Sequence, residues 1–266
     1  MKTISSKQNP IVRAFRSLSR TPDPTGVRLL LDGVHLVRDA HSSGVALDVV
    51  VVARSRLQSD TEERELVHAL RRHGVEVITA SDQVFAALSP VKTPSGIAAI
   101  GRRRSTDGED ICARADAWVL AVVNVQDPGN VGSLVRVAEA GGLTGALVCG
   151  VSANPFSWKA VRGSMGSALR LPISSGLTQK AAIATMAGAG LRIVAAVPRN
   201  GRDPDAIDWR GRVALLLGGE GVGLADEVIA ACDDRVSIPM ATPVESLNVA
   251  AAGAVLVYAA RRQRAT

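Results

Sequence analysis

Trp118-Val-Leu-Ala-Val-Val123 runs directly into Asn124-Val-Gln-Asp-Pro-Gly-Asn-Val-Gly-Ser-Leu-Val-Arg136, and the passage reads as strand, turn and helix. The first six residues carry no polar side chain except the indole of Trp118. A strand that is apolar on both faces belongs inside a parallel sheet covered by helices. Asp127-Pro-Gly129 forces the turn. The helix predicted over Val131–Ala140 places Val131, Leu134, Val135 and Ala138 on one apolar stripe, and Gly141-Gly142 ends it. Asn130 and Arg136 lie off that stripe and are free for other work.

Two more passages further along repeat the same grammar. Val213–Leu217 is a predicted strand that enters Gly218-Gly-Glu-Gly-Val-Gly-Leu224. Arg235–Ile238 is another, and it enters Ile238-Pro-Met-Ala-Thr-Pro-Val-Glu-Ser-Leu-Asn-Val249 and a helix predicted over Leu247–Arg262. Ligands of α/β domains bind at such strand ends. Three polar-studded loops in one domain therefore predict one composite site. Further strands are predicted at Ala146–Cys149 and Leu191–Val197, with helices at Lys159–Leu169, Lys180–Ala187 and Ala225–Ala231.

The first hundred residues alternate as well. Helices are expected at residues 9–20, Gly33–Ser43, Asp60–His73 and Asp82–Leu88. Strands are expected at Val27–Leu31, Leu47–Val52, Val75–Thr79 and Ile97–Ile100, which makes a small α/β unit. The polar run Arg102–Asp110 follows and reads as a linker. The expected organisation is a domain over residues 1–105, a connection over 106–115 and a second domain over 116–266.

Charge separates these parts. Residues 1–105 hold 16 Lys and Arg against 10 Asp and Glu, whereas residues 106–266 hold 15 of each, so the first part carries the whole net +6. A basic module beside a neutral one suits binding of a polyanion. No apolar run is long enough to span a bilayer, and Met1–Pro10 lacks the apolar core of a secretory signal. The expected location is cytoplasmic, with no membrane partner.

Several chemistries are excluded. His35, His41, His68 and His73 all lie in the first part, so the second has no histidine for a Ser-His-Asp or Cys-His arrangement. There is no phosphate loop of the Gly-x-x-x-x-Gly-Lys type. No metal-ligand cluster is visible, and no metal is expected. Cys112, Cys149 and Cys232 are far apart and read as small neutral residues of a reducing compartment. Seven aromatic residues are too few for a base-stacking platform, so nucleic acid would be held by basic groups, backbone and shape.

Taken together, Asp127-Pro-Gly-Asn-Val-Gly with Arg136, then Leu217-Gly-Gly-Glu-Gly-Val-Gly-Leu224, then Ile238-Pro-Met with Ser246-Leu-Asn-Val249 resemble the SpoU (TrmH-like) RNA ribose methyltransferases of the SPOUT superfamily. The resemblance covers roughly residues 115–262. Ile4-Ser-Ser-Lys-Gln-Asn-Pro-Ile-Val-Arg13 and the basic first module are similar to the ribosomal-protein-like substrate-binding domain of many members. The fold it implies is α/β: a C-terminal SPOUT-type parallel sheet with a trefoil knot, plus a small N-terminal α/β RNA-binding domain.

The resemblance implies S-adenosylmethionine as cofactor and a ribose 2′-hydroxyl of RNA as acceptor. Cofactor-binding positions would be Leu217, Gly218, Gly219, Ile238, Met240 and Leu247. Catalytic positions would be Asn130, Arg136, Glu220, Ser246 and Asn248. Arg136 would position and acidify the 2′-hydroxyl, Asn130 would hold Arg136 and substrate, and the other three would organise the loops. Members pair through the C-terminal domain, so a homodimer is implied. The separate basic module favours ribosomal RNA of the 23S type; a tRNA 2′-O-methyltransferase and a non-catalytic ribosome-assembly factor are the alternatives. Where members commonly carry Gly, this chain has Thr242, followed by Pro243, which predicts a stiffened loop.

Overall fold

The computed structural model describes residues 1–59 and 61–265. The chain divides into two compact units: residues 1–105 together with 156–170, and residues 106–155 together with 171 onward.

The first unit is built from β1 (Thr3–Ile4), α1 (Pro10–Arg20), β2 (Arg28–Asp32), α2 (Val34–Ser42), β3 (Ala46–Ala53), α3 (Arg54–Ser59), α4 (Thr61–Arg72), β4 (Val77–Ala80), α5 (Asp82–Leu88) and β5 (Ile97–Arg102). Its sheet runs β1-β4-β3-β5-β2. β1, β4 and β3 are parallel, and β5 is antiparallel to both its neighbours. Val12, Phe15 and Leu18 of α1 pack with Val84, Phe85 and Leu88 of α5 over this sheet. The predicted first residue of α4's helix, Asp60, lies outside the described residues, as does Thr266 at the end of the second expected domain.

The second unit begins with α6 (Gly108–Cys112), which falls inside the run expected to be linker. Asp107 caps it by accepting from the Glu109 amide at 3.3 Å, and Ile111 and Cys112 are buried. The polar run therefore ends as a helix start rather than as a free connection. β6 (Trp118–Val123), α7 (Pro128–Gly141) and β7 (Gly145–Cys149) follow.

The chain then enters the first unit for α8 (Trp158–Gly163) and α9 (Ser167–Arg170). One helix was expected there; Met165 at φ 50° and Gly166 at φ 86° break it in two. Phe156 lies 3.9 Å beneath the Arg103 guanidinium, and the Trp158 indole donates to the Ser19 carbonyl at 3.0 Å. These two aromatics anchor the segment among residues 1–105.

β8 (Ile173–Leu177), α10 (Gln179–Gly188), β9 (Arg192–Ala196), a 3-10 turn (Pro204–Ala206), β10 (Val213–Gly218), α11 (Asp226–Ala230), β11 (Asp234–Val236) and α12 (Val249–Arg264) complete the second unit. Its six strands are ordered β11-β9-β10-β6-β7-β8, and every pair is parallel. β6 and β10, the first and second strands quoted from the sequence, are adjacent at the centre, with Gly218 opposite Val123. The chain leaves β6 toward β7 and β8 and later returns to the other side of β10, so a topological switch point opens between them.

α12 packs on α7 and the end of β10. A Cβ at Gly253 would stand 2.6 Å from the Leu134 side chain and 2.9 Å from that of Leu217, so only glycine admits this approach. The helix buries Leu256, Val257, Ala259 and Ala260 but leaves Val255 and Tyr258 exposed. It begins two residues later than predicted, because Asn248 rather than an earlier residue is its cap.

Candidate active site

The site is assembled from three loops at the carboxyl ends of β6, β10 and β11. In the first, Asn124 leaves β6 in the left-handed region at φ 58°, which Asn tolerates better than most residues. Its side-chain oxygen accepts from the Val151 amide at 3.0 Å. Asp127 then caps α7 by accepting from the Asn130 amide at 2.9 Å, with Pro128 at the first helical position. The cap fixes Asn130 in the first turn.

The second loop is a tight turn. The Gly223 amide donates to the Gly219 carbonyl at 3.0 Å, which lifts Glu220 to its crest. A Cβ on Gly219 would lie 2.1 Å from the Asn124 carbonyl oxygen, so the backbones of the first two loops touch. The third loop runs from Ser237 to Asn248. Asn248 caps α12, accepting from the amides of Ala250 at 2.9 Å and Ala251 at 3.3 Å.

The three loops meet in one hydrogen-bonded cluster. Asn130 Nδ2 donates to Glu220 Oε1 at 2.7 Å. Asn248 Nδ2 donates to the same oxygen at 3.0 Å and to Asn130 Oδ1 at 3.1 Å. An amide nitrogen has two hydrogens and a carboxylate accepts only. Asn248 is therefore fully used, both hydrogens in the cluster and its oxygen in the cap, and it acts by position. Asn130 keeps one N–H, and Glu220 keeps Oε2, for something outside the cluster. Glu220 and Asn248 are exposed and Asn130 is half-buried.

The remaining sequence-predicted residues are placed as follows. Arg136 is exposed on α7 and makes no hydrogen bond or ion pair among the described residues; nothing joins it to Asn130. It sits six residues beyond Asn130, roughly 9 Å along the axis and roughly 240° around it. Ser246 and Leu247 are exposed on the third loop, and Ser246 caps nothing. Gly218 and Gly219 line the mouth of the turn. Ile238 and Met240 are half-buried. Leu217 is buried with its side chain against α12, which leaves only its backbone toward the loops. Among the described residues no group of three or more His, Cys, Asp or Glu could hold a metal. The three cysteine thiols are pushed up to about 11 by burial.

Asn124 was missed as a site residue. It links β6, β7 and the Gly219 turn through its carbonyl and amide oxygen. The sequence signal was an Asn between an apolar strand and a turn.

The SpoU rRNA Methylase family matches residues 117–258, and the MRM3-like substrate binding domain matches residues 9–99. The Bacillus subtilis 23S rRNA (guanosine(2553)-2′-O)-methyltransferase RlmP is 30% identical over 260 residues, 97% of this chain and 98% of that protein. An rRNA methyltransferase from Sinorhizobium meliloti, solved with bound AdoMet, superposes with a TM-score of 0.85 at 28% identity, covering 98% of this chain and 97% of the other. AviRb from Streptomyces viridochromogenes, a SpoU methyltransferase in complex with AdoMet, gives 0.86 at 26% identity over 97% of this chain and 99% of its own. With the switch-point site, these likenesses define an RNA methyltransferase of α/β architecture. Within that class, the chain belongs to the SpoU rRNA Methylase family.

Proposed function

We propose that the protein methylates a ribose 2′-hydroxyl of ribosomal RNA, of the 23S type, with S-adenosylmethionine as donor. The observation that carries this reading is the joining of Asn130, Glu220 and Asn248 from three separate loops at the switch point. The near full-length likeness to a 23S rRNA 2′-O-methyltransferase supports the choice of acceptor.

The loops suit a donor gripped by main chain. The backbone amides of Ile238, Met240 and Leu247 have no partner within the protein among the described residues. Gly218 and Gly219 present bare main chain as well, since a Cβ at either would collide with neighbouring backbone. Thr242 does not have positive φ, so the residue that departs from the family's glycine is accommodated without backbone strain.

S-adenosylmethionine supplies an electrophilic methyl group on a sulfonium. Bound there, it would give that methyl to the ribose oxygen and depart as the neutral thioether, and the hydroxyl proton would pass to solvent. A free 2′-hydroxyl is a poor nucleophile, so positioning and charge stabilisation supply much of the rate. Arg136 serves as a cation, not a base. It holds a neighbouring phosphate and stabilises the developing oxyanion. The free N–H of Asn130 and the free oxygen of Glu220 orient the ribose.

The direction of Arg136 away from the cluster fits a site completed by a second copy of the chain. Exposed Val255 and Tyr258 on α12 supply an apolar face for that homodimer. The passage of the third loop beside the first two, with α12 returning onto α7, fits a trefoil knot. The first unit, which holds the net positive charge, binds the RNA, and the enzyme works with ribosomes in the cytoplasm.

The test is to map blocked 2′-hydroxyls in total RNA from a strain lacking the gene. One site in the large ribosomal RNA should lose its block and regain it on complementation. Loss only in tRNA, or no loss anywhere, would reject this reading.

A further inference from the structure

The geometry points to a phosphodiester-binding ridge made by the outer face of α1 and the first turn of α8, with RNA as its occupant. This rests on the reading of RNA as substrate and names where the chain would grip it.

α1 buries Val12, Phe15 and Leu18. Arg13, Arg16 and Arg20 project from the other side, all exposed. Their intervals of three and four residues keep them on one face, about 4.5 and 6 Å apart along the axis. None of the three guanidiniums makes a hydrogen bond or ion pair among the described residues. Elsewhere in the same unit exposed arginines do find carboxylates: Arg38 meets Glu62 at 2.7 Å, Arg102 meets Asp48 at 2.6 Å and Arg170 meets Asp39 at 3.5 Å.

The absence of a partner follows from the sequence. Asp23 is the only carboxylate among residues 1–31. It is spent on closing a turn, accepting from the Thr25 amide at 3.1 Å, the Thr25 hydroxyl at 2.8 Å and the Arg28 amide at 2.7 Å. The three guanidiniums flank a shallow groove of about 400 Å³, where Ser17 and Thr21 add neutral hydroxyls. A row of unneutralised guanidiniums beside hydroxyl donors matches a chain of phosphates. With so few aromatics in the protein, backbone contact is the available mode of RNA binding.

α8 extends the ridge. Ser157 caps it, accepting from the Ala160 amide at 3.3 Å, and the Trp158 indole donates to the Ser19 carbonyl at 3.0 Å. This bond pins the start of α8 to the last turn of α1. Lys159 is exposed there, 5.8 Å from the Trp158 ring, and has no ion pair among the described residues. Lys159 lies within the stretch matched by the methylase family, not within the substrate-binding match, yet it belongs to the first unit. The RNA-gripping surface is therefore composite, and a stretch between two strands of the catalytic sheet supplies part of it.

Each phosphate contact that releases counterions lowers the slope of log affinity against log salt by about 0.7 to 0.9. The test uses the full-length protein and 23S rRNA transcribed in vitro, with affinity measured across a series of KCl concentrations. Relative to wild type, the Arg13→Ala, Arg16→Ala, Arg20→Ala triple variant should reduce the magnitude of that slope by about 2 to 3, and Lys159→Ala by just under 1. The KM for RNA should rise in both, while kcat at saturating RNA and calorimetric binding of S-adenosylmethionine stay unchanged. Replacing the three arginines by lysine should preserve the slope, which separates lost charge from lost folding. Arg71→Ala with Arg72→Ala, exposed cations at the end of α4, should leave it unchanged.

A triple variant with the wild-type slope would overturn the ridge, as would an equal fall in the α4 control, which would mean diffuse attraction. Retained RNA binding by the triple variant with loss of an acidic protein partner would also overturn it. Wild-type protein that shows no salt-dependent affinity for 23S rRNA would sink the ridge and the substrate reading together; a wild type that binds and methylates RNA while the triple variant is normal would sink the ridge alone.

Discussion

α1 and α7 start with the same local grammar and end in different trades. Asn9 caps α1 by accepting from the Ile11 amide at 2.9 Å, and Asp127 caps α7 by accepting from the Asn130 amide at 2.9 Å; each is followed by proline at the first helical position. α1 then shows solvent a face of unpaired arginines. α7 is buried along Val131, Leu134, Val135 and Ala138, with α12 packed against it. Its first turn meets Glu220 and Asn248, whereas among the described residues no such cluster joins the first turn of α1. A cap and a proline specify where a helix begins. Which loops arrive at that beginning decides whether it becomes a site.

This contrast can be broken most sharply at Glu220. Its carboxylate is the acceptor shared by both amides, and hydrogen bonds to charged groups contribute about 1.5–3 kcal/mol. Glu220→Ala should lower methyl transfer by roughly 10- to 150-fold if that contribution is realised in the transition state, with little change in thermal stability because the side chain is exposed. Unchanged turnover would mean that the cluster only decorates the loops.

The caps give the smaller effect. Asn9→Ala and Asp127→Ala should each cost about 1 kcal/mol of stability. Only Asp127→Ala should also slow methyl transfer, because its cap fixes the turn that bears Asn130. Equal activity of the two variants, measured at a temperature where both are folded, would show that the first turn of α7 needs no anchoring.

The central strands and the three loops were legible because apolar runs of five or six residues are hard to mistake and because polar groups beside glycines mark strand ends. β6 was predicted residue for residue, and β10 within one residue. What escaped detection had weaker local signals. β8, Ile173-Ser-Ser-Gly-Leu177, lies at the edge of its sheet and is half polar, so it lacks the apolar run of its neighbours. α6 was hidden in a charged stretch, since its cap and first turn are acidic.

The attachment of α8 and α9 to the first unit was illegible for another reason. It depends on Phe156 and Trp158 finding partners far back in the chain, Arg103 for the first and Ser19 for the second. Within the site, the sequence named Asn130, Glu220 and Asn248 but not their bonding. Asn130 was expected to hold Arg136, and its partners are instead Glu220 and Asn248. Helical phase already pointed that way, since the two residues of α7 face different directions.

Arg136 is the residue on which the account of methyl transfer depends most directly. Calorimetric titration of S-adenosylmethionine should be paired with single-turnover transfer to 23S rRNA, for wild type and Arg136→Ala. Loss of one preorganised charge-stabilising donor costs about 10²- to 10³-fold in rate. A fall of that size in transfer is expected, with cofactor affinity nearly unchanged. Equal loss of both would show that Arg136 supports the fold, and full retention of transfer would show that it takes no part in the reaction.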